Sequence, residues 1–151
     1  MISRVFVLLF SLACTANAFT SSGFTGSRTF AAPRSANTLS MAVAEIGSIS
    51  EFQEVINGSG SSLVVVDYST TWCGPCKVIA PKFDDFSEKY TDAIFLKVIG
   101  DSSAEASKLM KQEGVRSVPS FHYFINGEKK DVINGANAEA IEAAITKHLP
   151  Q

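Results

Sequence analysis

Trp72-Cys73-Gly74-Pro75-Cys76-Lys77 sets two cysteines between stretches of different hydrophobic period. Ahead of it lies Ser62-Leu63-Val64-Val65-Val66-Asp67-Tyr68, a short apolar run rich in valine, which predicts a buried strand. Behind it Lys77, Ile79, Phe83 and Phe86 continue in a helical pattern. The cysteines therefore stand where a strand hands over to a helix. The first residues of a helix carry N–H groups without partners and the positive end of the helix dipole, and both stabilise a thiolate. Cys73 is expected to be the more acidic thiol and the attacking one. Cys76 is expected about one turn further in, within reach of the Cys73 sulfur once a mixed disulfide has formed.

The rest of the composition fits chemistry at that pair. The chain has 151 residues, enough for one domain with a real core, and 46% are hydrophobic. Cys14, Cys73 and Cys76 are its three cysteines. If the front of the chain is removed, only the pair is left, and no structural disulfide is available beside it. Charge is uneven. Residues 1–44 carry Arg4, Arg28 and Arg34 and no acid, while the remainder has ten basic residues against fifteen acidic, a net of −5. An acidic body of this kind is not expected to bind nucleic acid.

The front has the composition of a targeting sequence. Residues 1–18 read as a secretory signal peptide: Arg4, an apolar run over 5–13 too short to span a bilayer, then Ala16-Asn17-Ala18 as a small-x-small cleavage pattern. A buried N-terminal helix and a lipoprotein signal at Cys14 are the alternatives, the second weakened by Ser11 where a Leu is wanted. Residues 19–42 are rich in Ser and Thr, bear Arg, lack acids, and resemble a plastid transit peptide. A signal peptide followed at once by such a segment, with Phe19 at the junction, resembles the two-part presequence of algae with complex plastids. The alternative is a Ser/Gly linker on a secreted or endomembrane-lumen protein. Processing is expected near 41–43, leaving a domain over 43–151 with no membrane segment.

Within that domain the expected order is β-α-β-α-β-α-β-β-α. Ser48 with Glu51 forms a capping box ahead of Phe52, Val55 and Ile56. Asn57-Gly58-Ser59-Gly60 ends that helix; it also matches a glycosylation sequon, but a Gly-rich turn explains it. A helix to about Tyr90 contains Pro81, which should kink it. Residues 93–99 form a strand, and Ser102 or Ser103 opens a helix that stops at Gly114. Residues 120–125 and 129–133 form a hairpin about Asn126-Gly127, with Lys129 and Lys130 suited to a sheet edge. Asn137 caps a last helix through Ile141, Ala144, Ile145 and Leu149.

Val66-Asp67-Tyr68-Ser69, then Trp72-Cys73-Gly74-Pro75-Cys76-Lys77, Val118-Pro119, Asn126-Gly127 and Gly135-Ala136 resemble the thioredoxin family, in order and spacing, over about 44–149. Phe52-Gln53-Glu54-Val55 and Ser87-Glu88-Lys89-Tyr90 look closest to its cytosolic branch, the animal and plant h-type. The resemblance implies an α/β fold, a central mixed sheet with helices on both faces. It implies a monomeric protein-disulfide reductase that uses a reversible Cys73–Cys76 disulfide and no bound cofactor. Cys73 would be the nucleophile and Cys76 the resolving thiol. Asp67, buried beneath Cys76, would accept its proton, with Lys97 tuning Asp67. Gly74 and Pro75 would set redox poise, Pro75 standing where isomerases and oxidases carry His. Trp72, Val118, Pro119, Gly135 and Ala136 would form the substrate surface, with Pro119 cis and the Val118 backbone free to pair with a target strand. Partners would be disulfide-containing target proteins and a reductase, NADPH-linked or ferredoxin-linked, as electron donor.

Other classes fare worse. A metal site needs about four ligands, and beyond the cysteine pair only His122 and His148 are available. A folded subunit whose redox chemistry is incidental would keep its cellular role after Cys73→Ser, which separates it from an enzyme. The family's third strand usually ends Val-Asp-Val-Asp, whereas here it reads Val98-Ile99-Gly100-Asp101. That strand is expected to end early or loosen at Ile99-Gly100. Tyr68 in place of Phe adds a hydroxyl that needs a partner or water.

Overall fold

The computed structural model describes residues 43–149. The signal-peptide and transit-peptide-like segments, and Cys14 with them, lie outside the described residues. Nine elements follow in the expected order. They are β1 (Ala44–Glu45), α1 (Ile49–Gly58), β2 (Val64–Ser69), α2 (Gly74–Lys89), β3 (Ile94–Ile99), α3 (Ala104–Gln112), β4 (Ser120–Ile125), β5 (Glu128–Asn134) and α4 (Ala138–His148). The hairpin partner is thus one residue longer at each end than the sequence suggested.

The five strands make one sheet in the order β1-β3-β2-β4-β5. β1, β3 and β2 run parallel, and β4 and β5 are antiparallel additions. From β1 to β2 the chain moves across the sheet one way, and from β2 to β3 it moves back. Parallel crossovers take a right-handed path, so a reversal of direction sends successive helices to opposite faces. The packing agrees. Phe52 and Ile56 of α1, with Ala106 and Leu109 of α3, cover the face that carries Val64, Val66, Tyr68, Leu96 and Val98. Ile79, Phe83 and Phe86 of α2, with Ile141 and Ile145 of α4, cover the face that carries Val65, Phe95, Phe121 and Tyr123. Alternation along a strand then assigns faces to the polar residues. Asp67 and Lys97 belong to the α2 face, and Tyr68 and His122 to the α1 face.

Local signals explain the ends of the elements. Ser48 Oγ accepts from the Glu51 N–H at 3.2 Å, and Glu51 reaches back to the Gly47 N–H at 3.3 Å. That is the expected capping box, its return bond one residue earlier than usual. Ser103, rather than Ser102, caps α3 by accepting from the Ala106 N–H at 3.0 Å. Asn126 (φ 54°) and Gly127 (φ 78°) form the two-residue turn between β4 and β5; positive φ at both central positions suits the twist of a hairpin. α2 runs unbroken through Pro81, which removes the donor that would have reached the Lys77 carbonyl.

β3 ends at Ile99 and Gly100 opens the turn, in line with an early end, but the strand is not loosened. Ile99 keeps its place opposite Ser69, and the Gly100 N–H donates to the Ser69 carbonyl at 2.9 Å. The physical reason for glycine lies on α3. A Cβ at position 100 would fall 1.8 Å from Met110 Sδ. Gly100 thus makes room for a methionine that packs against the α1-face core, directly where β3 ends.

Candidate functional site

The two cysteines lie where the chain's progress across the parallel strands reverses. The chain leaves β2 for α2 on one face and leaves β3 for α3 on the other. In open α/β sheets the crevice at that reversal, beyond the carboxyl ends of the strands, is where sites form. Here a cleft of about 140 Å³ opens there, lined among others by Ser69, Thr70, Cys76, Lys97 and Ile99.

Cys73 and Cys76 are joined by a disulfide, with their Cα atoms 5.3 Å apart. Cys73 is the N-cap of α2, and its Sγ accepts from the Cys76 N–H at 3.2 Å. The sulfur therefore takes one of the N–H groups that a helix leaves unpartnered, as expected from the strand-to-helix handover. Pro75 sits in the first turn, where its fixed φ and missing N–H cost nothing. Both cysteines are buried, whereas Trp72 beside them is 73% exposed. Core packing does not account for Trp72.

Asp67 is two positions in from the end of β2. It is 1% exposed, and its Oδ1 has no hydrogen-bond partner among the described residues. Burial is the main force on it and raises its pKa to about 7, with Lys97 pulling the other way and Asp84 adding slightly to the rise. Lys97 is its neighbour in the β2–β3 ladder, but no ion pair joins them. Asp67 thus titrates in the neutral range, where a proton acceptor for a thiol is useful.

The Val118–Pro119 peptide is cis. Register carries it to the cysteines: Ser120, the first residue of β4, pairs with Tyr68 near the end of β2. Gly135 (φ +93°) donates its N–H to the Pro119 carbonyl at 2.9 Å, which ties the Gly135-Ala136 turn to the same loop. Among the described residues Val118 makes no hydrogen bond through its backbone N–H or carbonyl. Val118 is half-buried, Ala136 is exposed and Pro119 is buried.

One contact was not anticipated. Asp101, just past Gly100, accepts from the Thr71 N–H at 2.9 and 3.2 Å and from the Thr71 hydroxyl. These bonds hold the Asp101 carboxyl below its ordinary range. They clamp the loop that carries Trp72 to the loop that follows β3. Thirty positions separate the partners, so only the fold brings them together. On the far face of the sheet, the rings of Tyr68 and His122 pack at a tilt of 58° with centroids 4.7 Å apart. Among the described residues the Tyr68 hydroxyl and His122 Nδ1 are buried without partners, so no described group meets the need noted for Tyr68.

The thioredoxin family model matches residues 43–147. The chain belongs to the thioredoxin family. The match spans nearly all the described residues, and two relatives show how even it is. Horse thioredoxin is 46% identical over 103 residues, 68% of this chain and 95% of that protein. Thioredoxin-1 of the fission yeast Schizosaccharomyces pombe is 45% identical over 107 residues, 71% of this chain and 99% of that protein. Among solved structures, the short form of spinach chloroplast thioredoxin f superposes with a TM-score of 0.68 at 33% identity, covering 73% of this chain and 96% of that one. The family fold is the five-stranded mixed sheet with four helices described above. As a thioredoxin the chain is a thiol–disulfide oxidoreductase, a protein-disulfide reductase that works through Cys73 and Cys76 and uses no bound cofactor.

Proposed function

We propose that the Cys73 thiolate attacks a disulfide of a target protein and that Cys76 resolves the mixed disulfide, restoring the Cys73–Cys76 bond and releasing the reduced target. The position of Cys73 Sγ at the first turn of α2 carries this reading: it is the sulfur with a helix N–H on it. Asp67 accepts the proton that Cys76 loses, and Lys97 keeps Asp67 from being held neutral too strongly. Gly74 and Pro75 set the poise of the pair. The target lies across Trp72, Val118, Pro119, Gly135 and Ala136, and its extended backbone pairs with the free N–H and carbonyl of Val118.

Replacing Cys76 by Ser tests this order of events. The variant should accumulate target proteins bound through Cys73 by disulfides that dithiothreitol releases, and Cys73→Ser should accumulate none. Equal capture by the two variants would remove Cys73 from the nucleophile's role.

The electron donor is a thioredoxin reductase, ferredoxin-linked or NADPH-linked. A solved complex of ferredoxin:thioredoxin reductase with thioredoxin f2, the latter 36% identical to this chain, supports the first kind. The composition of residues 1–42 supports delivery by the secretory route to a complex plastid. Fused to a fluorescent protein in an alga with such plastids, residues 1–42 should deliver it there. Secretion or retention in the endomembrane lumen would overturn the plastid address.

A further inference from the structure

Thr70 follows directly on β2 and lines the cleft together with Cys76 and Lys97. Its Oγ1 is buried and has no hydrogen-bond partner among the described residues. A hydroxyl brings one donor and two acceptor positions, and leaving all of them unused inside a protein is unfavourable. The neighbouring hydroxyl, Thr71 Oγ1, is committed to Asp101. Asp67 Oδ1, three residues back along the chain, is likewise a buried oxygen without a partner. It belongs to the residue beside Lys97 in the ladder. The cleft has room for a few water molecules, and Thr70 and Lys97 supply polar groups on its otherwise largely apolar wall that can hold them. The unpartnered Thr70 hydroxyl, the Lys97 side chain and the sulfur that must lose a proton thus share one cleft at the end of β2, with Asp67 beside Lys97 in the ladder.

We propose that Thr70 is a positioning residue for the release step: its hydroxyl, with Lys97, anchors the water that carries the proton of Cys76 to Asp67. The proposal rests on the reading of Asp67 as proton acceptor. In that step the Cys76 S–H gives its proton to water, and the Asp67 carboxylate takes one from it. The Cys76 thiolate attacks Cys73 Sγ, the Cys73–Cys76 bond forms, and the bond from Cys73 to the target sulfur breaks. The target thiolate leaves with the electron pair and takes up a proton from solvent. The two active-site sulfurs are oxidised and the target disulfide is reduced.

Thr70→Val keeps the shape of the side chain and loses the hydroxyl, whereas Thr70→Ser keeps the hydroxyl. The measurement is release of the target thiol from a preformed mixed disulfide on Cys73, in a single turnover and as a function of pH. Near neutrality Thr70→Val should slow release roughly tenfold, a part of the ~10²–10⁴ that a positioned base contributes. The deficit should close at alkaline pH, where Cys76 ionises unaided. The initial attack by Cys73 and the unfolding midpoint should not fall, and Thr70→Ser should release at nearly the wild-type rate. Wild-type release by Thr70→Val, a deficit independent of pH, or equal slowing in Thr70→Ser would overturn the proposal. Asp67→Asn in the same assay separates the two ideas. If it slows release and Thr70→Val does not, only the role of Thr70 fails; if it leaves release unchanged, both fail. Adding Thr70→Val to Asp67→Asn should cost nothing further, and additive losses would show that the two act apart.

Discussion

Asp67→Asn is expected to stabilise the oxidised protein by about 4 kcal/mol above pH 7 and to leave its stability unchanged below about pH 4. The effect follows from linkage. In the unfolded chain Asp67 ionises near its ordinary 3.8, whereas in the fold burial holds the proton on it to about 7. Between those values the folded state binds a proton that the unfolded state has lost. Stability due to this group is therefore complete below the unfolded pKa and is lost as pH rises through the folded one. The difference of about 3 pH units corresponds to about 4 kcal/mol at 1.36 kcal/mol per unit. Asparagine has no proton to lose and escapes the loss. Urea unfolding midpoints of both proteins across this range test it, and a stability difference that does not grow with pH would refute it. The same substitution should slow target release near neutrality, so the variant trades activity for stability at the site.

The second large effect sits on the other face and has the opposite sign. His122 is 2% exposed, and its pKa is lowered from 6.5 to about 4, mainly by burial and then by the nearby Lys129. Here the unfolded chain takes up a proton that the folded one refuses. The contribution is complete above pH 6.5 and is lost as pH falls toward 4, about 3 kcal/mol in all. His122→Phe removes the titration and the unpartnered Nδ1; the slope of stability against pH is the readout, since a new packing cost shifts only the level. The two slopes oppose each other between pH 4 and 6.5. As far as these two groups go, the wild type should be nearly flat there, Asp67→Asn should gain stability with rising pH, and His122→Phe should lose it. Parallel curves for the two variants would contradict this balance.

Local chemistry made much of this protein legible. The valine run, the cysteine turn, Ser48 with Glu51, Asn126-Gly127 and Asn137 each act within a few residues, and each does in the fold what its chemistry suggests. The dithiol, Asp67 and Val118-Pro119 were found because their spacing is a family signature. The reason for Gly100 was missed because it stands ten residues on, at Met110 of another element, and no local pattern records that contact. The clamp of Asp101 on Thr71 escaped notice for the same reason. The unpartnered hydroxyl of Thr70 had no sequence signal at all. Threonine at a strand end is commonplace, and only the cleft gives it meaning.

The sheet order has a consequence for how the molecule opens. β2 lies between β3 and β4, and every one of its residues is buried. Its amides should exchange with solvent deuterium only when the whole domain unfolds. β1 is two exposed residues at the sheet edge, with buried Ile46 behind it donating to the Lys97 carbonyl at 2.8 Å. Exchange should begin there and stop at Ile46. The chemistry is thus anchored to the slowest-exchanging strand, and the polypeptide that precedes the domain joins it at the fastest. If the chain is processed near residue 42, as its sequence leads one to expect, the peptidase would meet the rung that opens most readily, and the cut would leave the floor beneath the cysteines undisturbed.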